Sequence, residues 1–387
     1  MATAFGIGAF VVLLLFAIFF HEFGHYITAR WAKIKVSKFF IGFGPTIWST
    51  RRGRPETVTG PDGAPLTRPE TEYGIKAFPI GGFVRVVGMS PYEEVSEEDQ
   101  ARSFGAAPTW KRAVVLGAGS VTHMVSAFVF LLIIFSAVGL PDPSKRTRVI
   151  DAVELERDGE ATPAAKAKLR PGDEILEIDG RRIPSGQEMV RVLRSSPGEE
   201  LVVRVRGKDG GFRTVEMTPY VVEEDGEKIG RIGIIPRSEI TRLNPIAATG
   251  QSARVMGELF RGFVQQAPRA FSPSTLGLSG DGPSDERPFS IIGAGRLAAD
   301  LAVEGQIAMF LFLFVQINIF VGVFNMFPLP PLDGGHLLVL LIEKVRRKPV
   351  DQRALVPVMA VVLSILALLA LLLVYYDIVS PVRLPGR

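Results

Sequence analysis

The sequence predicts an α-helical polytopic membrane protein with about four transmembrane helices. A membrane-associated β-element follows the first span, and an α+β domain is inserted after the second. Three observations lead there. Apolar runs near the 20 or so residues that cross a bilayer recur at 5–27, 113–140, 306–327 and 355–376. Stretches rich in β-branched and aromatic residues, broken by turn glycines, stand at 35–49, 73–79 and 82–88. Between the second and third apolar runs, 149–220 carries the alternation and turn signals of a compact water-facing domain. The 387 residues are 47% hydrophobic, which fits a membrane protein carrying soluble parts.

Composition also excludes. The formal charge of +4 comes from mixed basic and acidic residues. The basic ones cluster beside the spans, a membrane signature rather than that of a nucleic-acid binder. With no cysteine, disulfides and cysteine-held zinc are ruled out, and the redox compartment is left open. No cleavable leader is evident, because the N-terminus lacks a basic stretch ahead of its apolar run.

Residues 1–30 form the first span, and it ends on His21-Glu22-Phe23-Gly24-His25. Positions i and i+4 share a helix face, so His21 and His25 can hold one metal ion. Glu22 is placed to act as general base on a water that the metal activates. The pattern also arises by chance on ordinary helices. Against chance, ionisable groups in a span are costly and mark function, and the chain has only four histidines. Arg30, Lys33, Lys35 and Lys38 follow at once and assign this side to the cytoplasm. Residues 31–112 are then a cytoplasmic loop with membrane-associated strands. Within it, 51–70 reads as a flexible insertion rich in Pro, Gly and charge, and 91–102 as an acidic solvated loop. The second span, 113–140, contains the small residues Gly117, Gly119, Ser120, Thr122 and Ser126, which allow close helix packing. It also contains His123.

The chain leaves the membrane after Pro141, and 149–220 is the inserted domain. Residues 221–304 hold an amphipathic helix over 245–271, with an apolar stripe of Val255, Leu259, Phe260, Phe263 and Val264. The stripe suits the outer membrane surface or packing on the domain. A Gly-, Ser- and Pro-rich linker occupies 272–288. Residues 305–343 contain the third span with Gln316, Asn318 and Asn325, then Pro328, Pro330 and Pro331, which cannot continue a helix. A break at membrane depth is tolerated only where it is buried in protein or lines a wet cavity. Two histidines plus one carboxylate are a common catalytic zinc set, and Asp333 is the candidate third ligand. Gly334 and Gly335 are expected to turn the chain and bring Asp333 in. Lys344, Arg346, Arg347, Lys348 and Arg353 make a second basic loop, and 354–377 is a packing span ending in the interfacial pair Tyr375 and Tyr376. Two basic loops inside place both termini outside.

His21-Glu22-Phe23-Gly24-His25 in one span, and Asn325-Met326-Phe327-Pro328-Leu329-Pro330-Pro331-Leu332-Asp333-Gly334-Gly335-His336 after a later one, together resemble the site-2 protease family of intramembrane zinc metalloproteases. Between them, Leu169-Arg170-Pro171-Gly172-Asp173-Glu174-Ile175-Leu176-Glu177-Ile178-Asp179-Gly180-Arg181-Arg182-Ile183 resembles a PDZ domain, a module that binds peptide strands along an edge or serves as a size filter. The resemblance implies one Zn2+ per chain and a location in a bacterial plasma membrane, with the active site near the cytoplasmic face and the PDZ-like domain outside. It implies a β-element beside the zinc whose edge pairs with an unwound substrate, with Gly81, Gly82 and Val84 as candidates; an ordinary surface hairpin is the alternative. It assigns Asn325 to substrate positioning. Where the family shows A-G-P-x-x-N, this chain reads Ala118-Gly119-Ser120-Val121-Thr122-His123. His123 then faces the substrate or the developing oxyanion, or is a packing histidine. The implied partners are the lipid bilayer and single-span proteins already trimmed by another protease, such as anti-sigma factors or remnant signal peptides, in regulated intramembrane proteolysis. No nucleic acid is implied, and the oligomeric state is not. A catalytically silent scaffold that works through its PDZ-like domain is the rival reading, and Glu22 weighs against it. A metal transporter is weaker, because the polar residues gather at one depth.

Overall fold

The computed structural model describes residues 2–59, 65–89, 93, 95–157, 159–224, 226–270, 272–276 and 287–380. Of the expectations above, 60–64 of the insertion, 91, 92 and 94 of the acidic loop and 277–286 of the linker lie outside the described residues. The chain forms two compact units. One is Met1–Phe135 with Pro245–Val382, and the other is built on Ser136–Asn244.

The first unit opens with α1, Ala2–Trp31. The antiparallel pair β1, Val36–Thr59, and β2, Pro65–Val86, comes next. Both strands fold back on themselves. Residues 38–41 of β1 pair with 82–85 of β2 on one side and with 72–75 on the other, and 72–75 pair again with 48–51. The result is four runs, the central two (38–41 and 72–75) parallel and each outer run antiparallel to its neighbour, with 82–86 at one edge. Gly42 and Gly81 supply the turns, at φ values of 90° and 126° that side chains rarely adopt. The expected flexible insertion is largely strand: the arms continue outward through Pro55–Pro69 and Glu56–Arg68 to Thr59–Pro65. Charge ties them down. Lys35, nearly buried, pairs with Glu56 and with Asp99 at 2.7 Å. Arg102 holds Glu70 at 2.7 Å and Arg51 holds Glu72 at 2.9 Å. Buried Thr71 donates to the Val36 carbonyl at 2.7 Å. A short α2, Glu97–Gln100, then leads to α3, Thr109–Ile133, which runs on into a π-helical turn, Ile134–Val138.

The second unit carries a sheet in the order β12-β3-β6-β8-β9. Its members are β3 (Leu140–Val153), β6 (Glu174–Ile178), β8 (Leu201–Arg206), β9 (Phe212–Met217) and β12 (Ile234–Thr241), with β7 (Arg181–Arg182) beside β6. The small hairpins are β4–β5 (Glu156–Arg157, Glu160–Ala161) and β10–β11 (Tyr220–Glu224, Glu227–Arg231). The helices are α4, Pro163–Lys166, and α5, Gly186–Ser195; Thr162 and Ser185 cap them. Ile150, Ile175, Ile178, Met189, Val203 and Val205 form the core together with Ile232. The unit is therefore wider than the 149–220 read from sequence, because the closing strand β12 returns after the β10–β11 hairpin and pairs with β3.

Back in the first unit, α6, Pro245–Ala270, packs on α3 and on α8, Ile307–Asn325. Phe263 meets Phe320 at 6.0 Å between ring centroids. The stripe is thus covered only in part by helices of its own unit, since Phe260 and Val264 stay exposed. Between α6 and α8 stands α7, Ile291–Val303, capped by Ser290. It lies so close to α1 that a Cβ on Gly6 would come 2.7 Å from Ala299 Cα. After α8 the chain breaks over 326–332, resumes as α9, Asp333–Arg346, and ends in α10, Val356–Val379. Among the described residues four helices are long and apolar enough to cross a membrane: Ala4–Trp31, Thr109–Val138, Ile307–Asn325 and Arg353–Val379. The fourth is not apolar throughout. Asp377 is buried at its end, 2.5 Å from Arg287, and it accepts the Ser290 amide at 2.7 Å.

Candidate metal centre

An apolar run without proline makes α1 a continuous helix through His21 and His25, so their rings rise on one face a turn apart. Their Nε2 atoms are 3.3 Å apart. The Nδ1 of His25 donates to the Val115 carbonyl of α3 at 2.8 Å, which leaves the Nε2 lone pair facing the site. The third group comes from far along the chain. Asp333 opens α9 and sets Oδ2 3.4 Å from His25 Nε2 and 3.8 Å from His21 Nε2. Gly334 and Gly335 serve this differently from the expectation. Both are helical and neither turns the chain. They let α9 lie against the preceding break, where a Cβ would come 2.5 Å from the Phe327 carbonyl oxygen and 2.7 Å from that of Leu329.

The residues fit a metal ion. Asp333 Oδ2 is buried without a hydrogen-bond donor and faces the Nε2 atoms of both histidines. A carboxylate oxygen and an imidazole lone pair accept but do not donate, so their convergence calls for a cation. The separations of 3.3–3.8 Å bracket the tetrahedron edge of about 3.3–3.6 Å expected for zinc bonds of about 2.0–2.2 Å. His21, His25 and Asp333 are the group of potential metal ligands found among the described residues.

Glu22 is turned about 100° around the helix from His21 and meets the edge run of β2. A Cβ on Gly82 would stand 3.0 Å from Glu22 Cγ, and the Val84 amide is directed at the Glu22 carboxylate. Gly81 packs against Phe43 instead. Tyr26 anchors the same helix to the sheet, its hydroxyl 2.6 Å from that of Tyr73. His123 is buried on α3 with its ring centroid 5.1 Å from that of His21. Asn325 ends α8, half-buried. The structure therefore brings His21, Glu22, His25, Asp333, His123, Gly82 and Val84 to one place.

Two residues here do more than their sequence context implied. Gly119 lies under both ligand rings, where a Cβ would stand 2.5 Å from His25 Nε2 and 2.6 Å from His21 Nδ1. Asn318 is fully buried in α8 and hydrogen-bonds His123. A polar side chain in an apolar span was its only sequence signal.

The sequence profile of Peptidase family M50 matches residues 9–369. The zinc metalloprotease Rip1 of Mycobacterium tuberculosis (strain ATCC 25618 / H37Rv) is 31% identical over 424 residues, covering 98% of this chain and 98% of that protein. Rip1 of Mycolicibacterium smegmatis is 30% identical, covering 99% and 100%. A putative zinc metalloprotease of Brucella suis biovar 1 is 27% identical, covering 89% and 87%. Among solved structures, the PDZ domain of an SdrC-like protein from Listeria monocytogenes aligns with 24% of this chain and 92% of its own, at 22% identity and a TM-score of 0.20.

Proposed function

The chain belongs to peptidase family M50 and is a zinc metalloprotease with several membrane spans, and on that premise we propose that it cleaves the transmembrane segments of single-span proteins in regulated intramembrane proteolysis. One observation carries the reading: His21 Nε2, His25 Nε2 and Asp333 Oδ2 converge beside Glu22, and both histidines and Glu22 stand on a helix long and apolar enough to cross a bilayer. His21, His25 and Asp333 would hold one zinc ion, which when bound polarises a carbonyl and lowers the pKa of water towards about 7. Glu22 takes the proton of the attacking water and delivers it to the leaving amine. Asn325 and His123 serve the substrate.

A transmembrane helix hides its peptide bonds in its own hydrogen bonds and must unwind before it is cut. The run 82–86 is an edge of the four-run sheet and passes Glu22, so a substrate strand added there would lie beside the base. Such pairing uses backbone groups and tolerates varied sequences. Trimmed anti-sigma factors and remnant signal peptides fit this chemistry. The Ser136–Asn244 unit is read as a PDZ-like domain outside the cytoplasm, and the open side of its edge strand β12 suits a peptide tail or a size filter.

The test is cleavage of a trimmed single-span substrate in detergent by wild type and Glu22→Gln, with zinc measured on both. The reading expects about one zinc on each protein and a loss of about 10²–10⁴-fold in the variant. Zinc on both with cleavage by neither would favour the silent scaffold.

A further inference from the structure

Asn318 sits in the middle of α8 with no exposure to solvent, and His123 opposite it on α3 is 3% exposed. The Nδ2 of Asn318 is 2.9 Å from the Phe314 carbonyl oxygen, and its Oδ1 is 3.0 Å from His123 Nδ1. The carbonyl can only accept, so the amide nitrogen must face it and the amide oxygen must face the histidine. A flipped amide would set two oxygens against each other. The histidine nitrogen opposite that oxygen must therefore carry the proton. In neutral His123 the proton is on Nδ1, and Nε2 keeps a lone pair. The contact has little freedom. A Cβ on Gly322, one turn beyond Asn318, would come 3.1 Å from His123 Cβ and 2.5 Å from Met124 Cε.

The neutral ring beside His21 therefore offers an acceptor and no donor. An oxyanion needs donors, so this form of His123 is the wrong partner for one. A peptide N–H is the complementary partner. When a substrate helix unwinds in apolar surroundings, each freed N–H must find an acceptor or leave a buried group unsatisfied.

We propose that Asn318 is a positioning residue that, through His123, presents an acceptor for a backbone N–H of the substrate close to the scissile bond. The inference rests on the proteolytic reading above and adds a substrate contact. It implies a specificity: the substrate residue whose N–H is received cannot be proline.

The experiment compares wild type, Glu22→Gln, His123→Leu, Asn318→Leu and the double His123→Leu/Asn318→Leu. Each is assayed for bound zinc and for kcat and KM on one transmembrane substrate. A parallel set of substrates carries single amide-to-ester replacements near the cleavage site, each removing one N–H. The inference expects full zinc in all five proteins and a loss of about tenfold in each single leucine variant, the scale of one lost hydrogen bond. It expects the double variant to fall no further than His123→Leu alone. One ester position should slow wild type about tenfold and leave both leucine variants unchanged. Additive losses, loss of zinc in Asn318→Leu, or no ester position coupled to His123 would each overturn it. If wild type cleaves and Glu22→Gln does not, such a result removes this inference and leaves the proteolytic reading standing. A wild type that cleaves no span removes both.

Discussion

A methyl group at position 119 would lie 2.5 Å from His25 Nε2 and 2.6 Å from His21 Nδ1. The room for the ligand rings is thus a property of α3, which contributes none of the three ligands. Gly119→Ala should fold yet hold zinc at least tenfold more weakly, the scale of disturbed ligand support, as read by metal retained against a chelator. Gly117, two residues back and about 200° round the helix, is the control. Its nearest contact is Leu337 Cδ1 at 4.0 Å, so Gly117→Ala should keep its metal. The difference shows what was legible at this scale. His21, Glu22 and His25 could be read because an i, i+4 spacing places them whatever else the chain does. Asp333 is the expected carboxylate of a common zinc set, and it meets His21 and His25. Gly119 and Asn318 could not be read, because their roles exist only where α3 meets α1 and α8.

The β-element shows the same limit between strands. Its runs at 35–49, 73–79 and 82–88 announced themselves by β-branched and aromatic residues. The arms beyond Arg51 did not, since their proline, glycine and charge are offset by ion pairs to distant residues. Lys35→Met would remove the ammonium that Asp99 and Glu56 share, costing about 1–3 kcal/mol, and trypsin should then cut faster at Arg51, Arg52 and Arg54. Burial alone would lower the Lys35 pKa, but the contacts with Asp99 and Glu56 outweigh it and hold the ammonium above its ordinary 10.5. A raised folded pKa contributes stability below the unfolded value and loses it as pH rises through the folded one. The arms should therefore stay protected from hydrogen exchange, corrected for intrinsic rate, through neutral and mildly alkaline pH. They should open only above about 10.5. At the inner edge, Gly82→Ala would bring a carbon within 3.0 Å of both Glu22 Cγ and the Phe40 carbonyl oxygen. The variant should lose kcat while retaining zinc.

For the molecule as a whole, hydropathy alone placed the four spans. It could not place the limits of the inserted unit, because β12 joins its sheet only after an intervening hairpin. Nor could it reveal Asp377, one polar residue at the end of an apolar helix. Arg287 and Asp377 are each 1% exposed in their side chains. Asp377→Leu would strand the guanidinium and should cost about 3–5 kcal/mol in thermal unfolding. The paired change Arg287→Met/Asp377→Leu should recover most of it. The native chain has no cysteine, so single cysteines report topology without background. Those placed in 31–112 and 344–353 should label from the cytoplasmic side, and those in 149–220 from the outside. The distance along the chain between the two halves of the zinc site also governs when activity can begin. His21, Glu22 and His25 enter the membrane first, and Asp333 leaves the ribosome on the order of 300 residues later, tens of seconds at roughly 5–20 residues per second. A nascent chain thus holds the proposed base and two of the proposed ligands without the carboxylate proposed to complete them. On the proposed reading, a newly made chain then stays idle beside its targets until its synthesis is nearly finished.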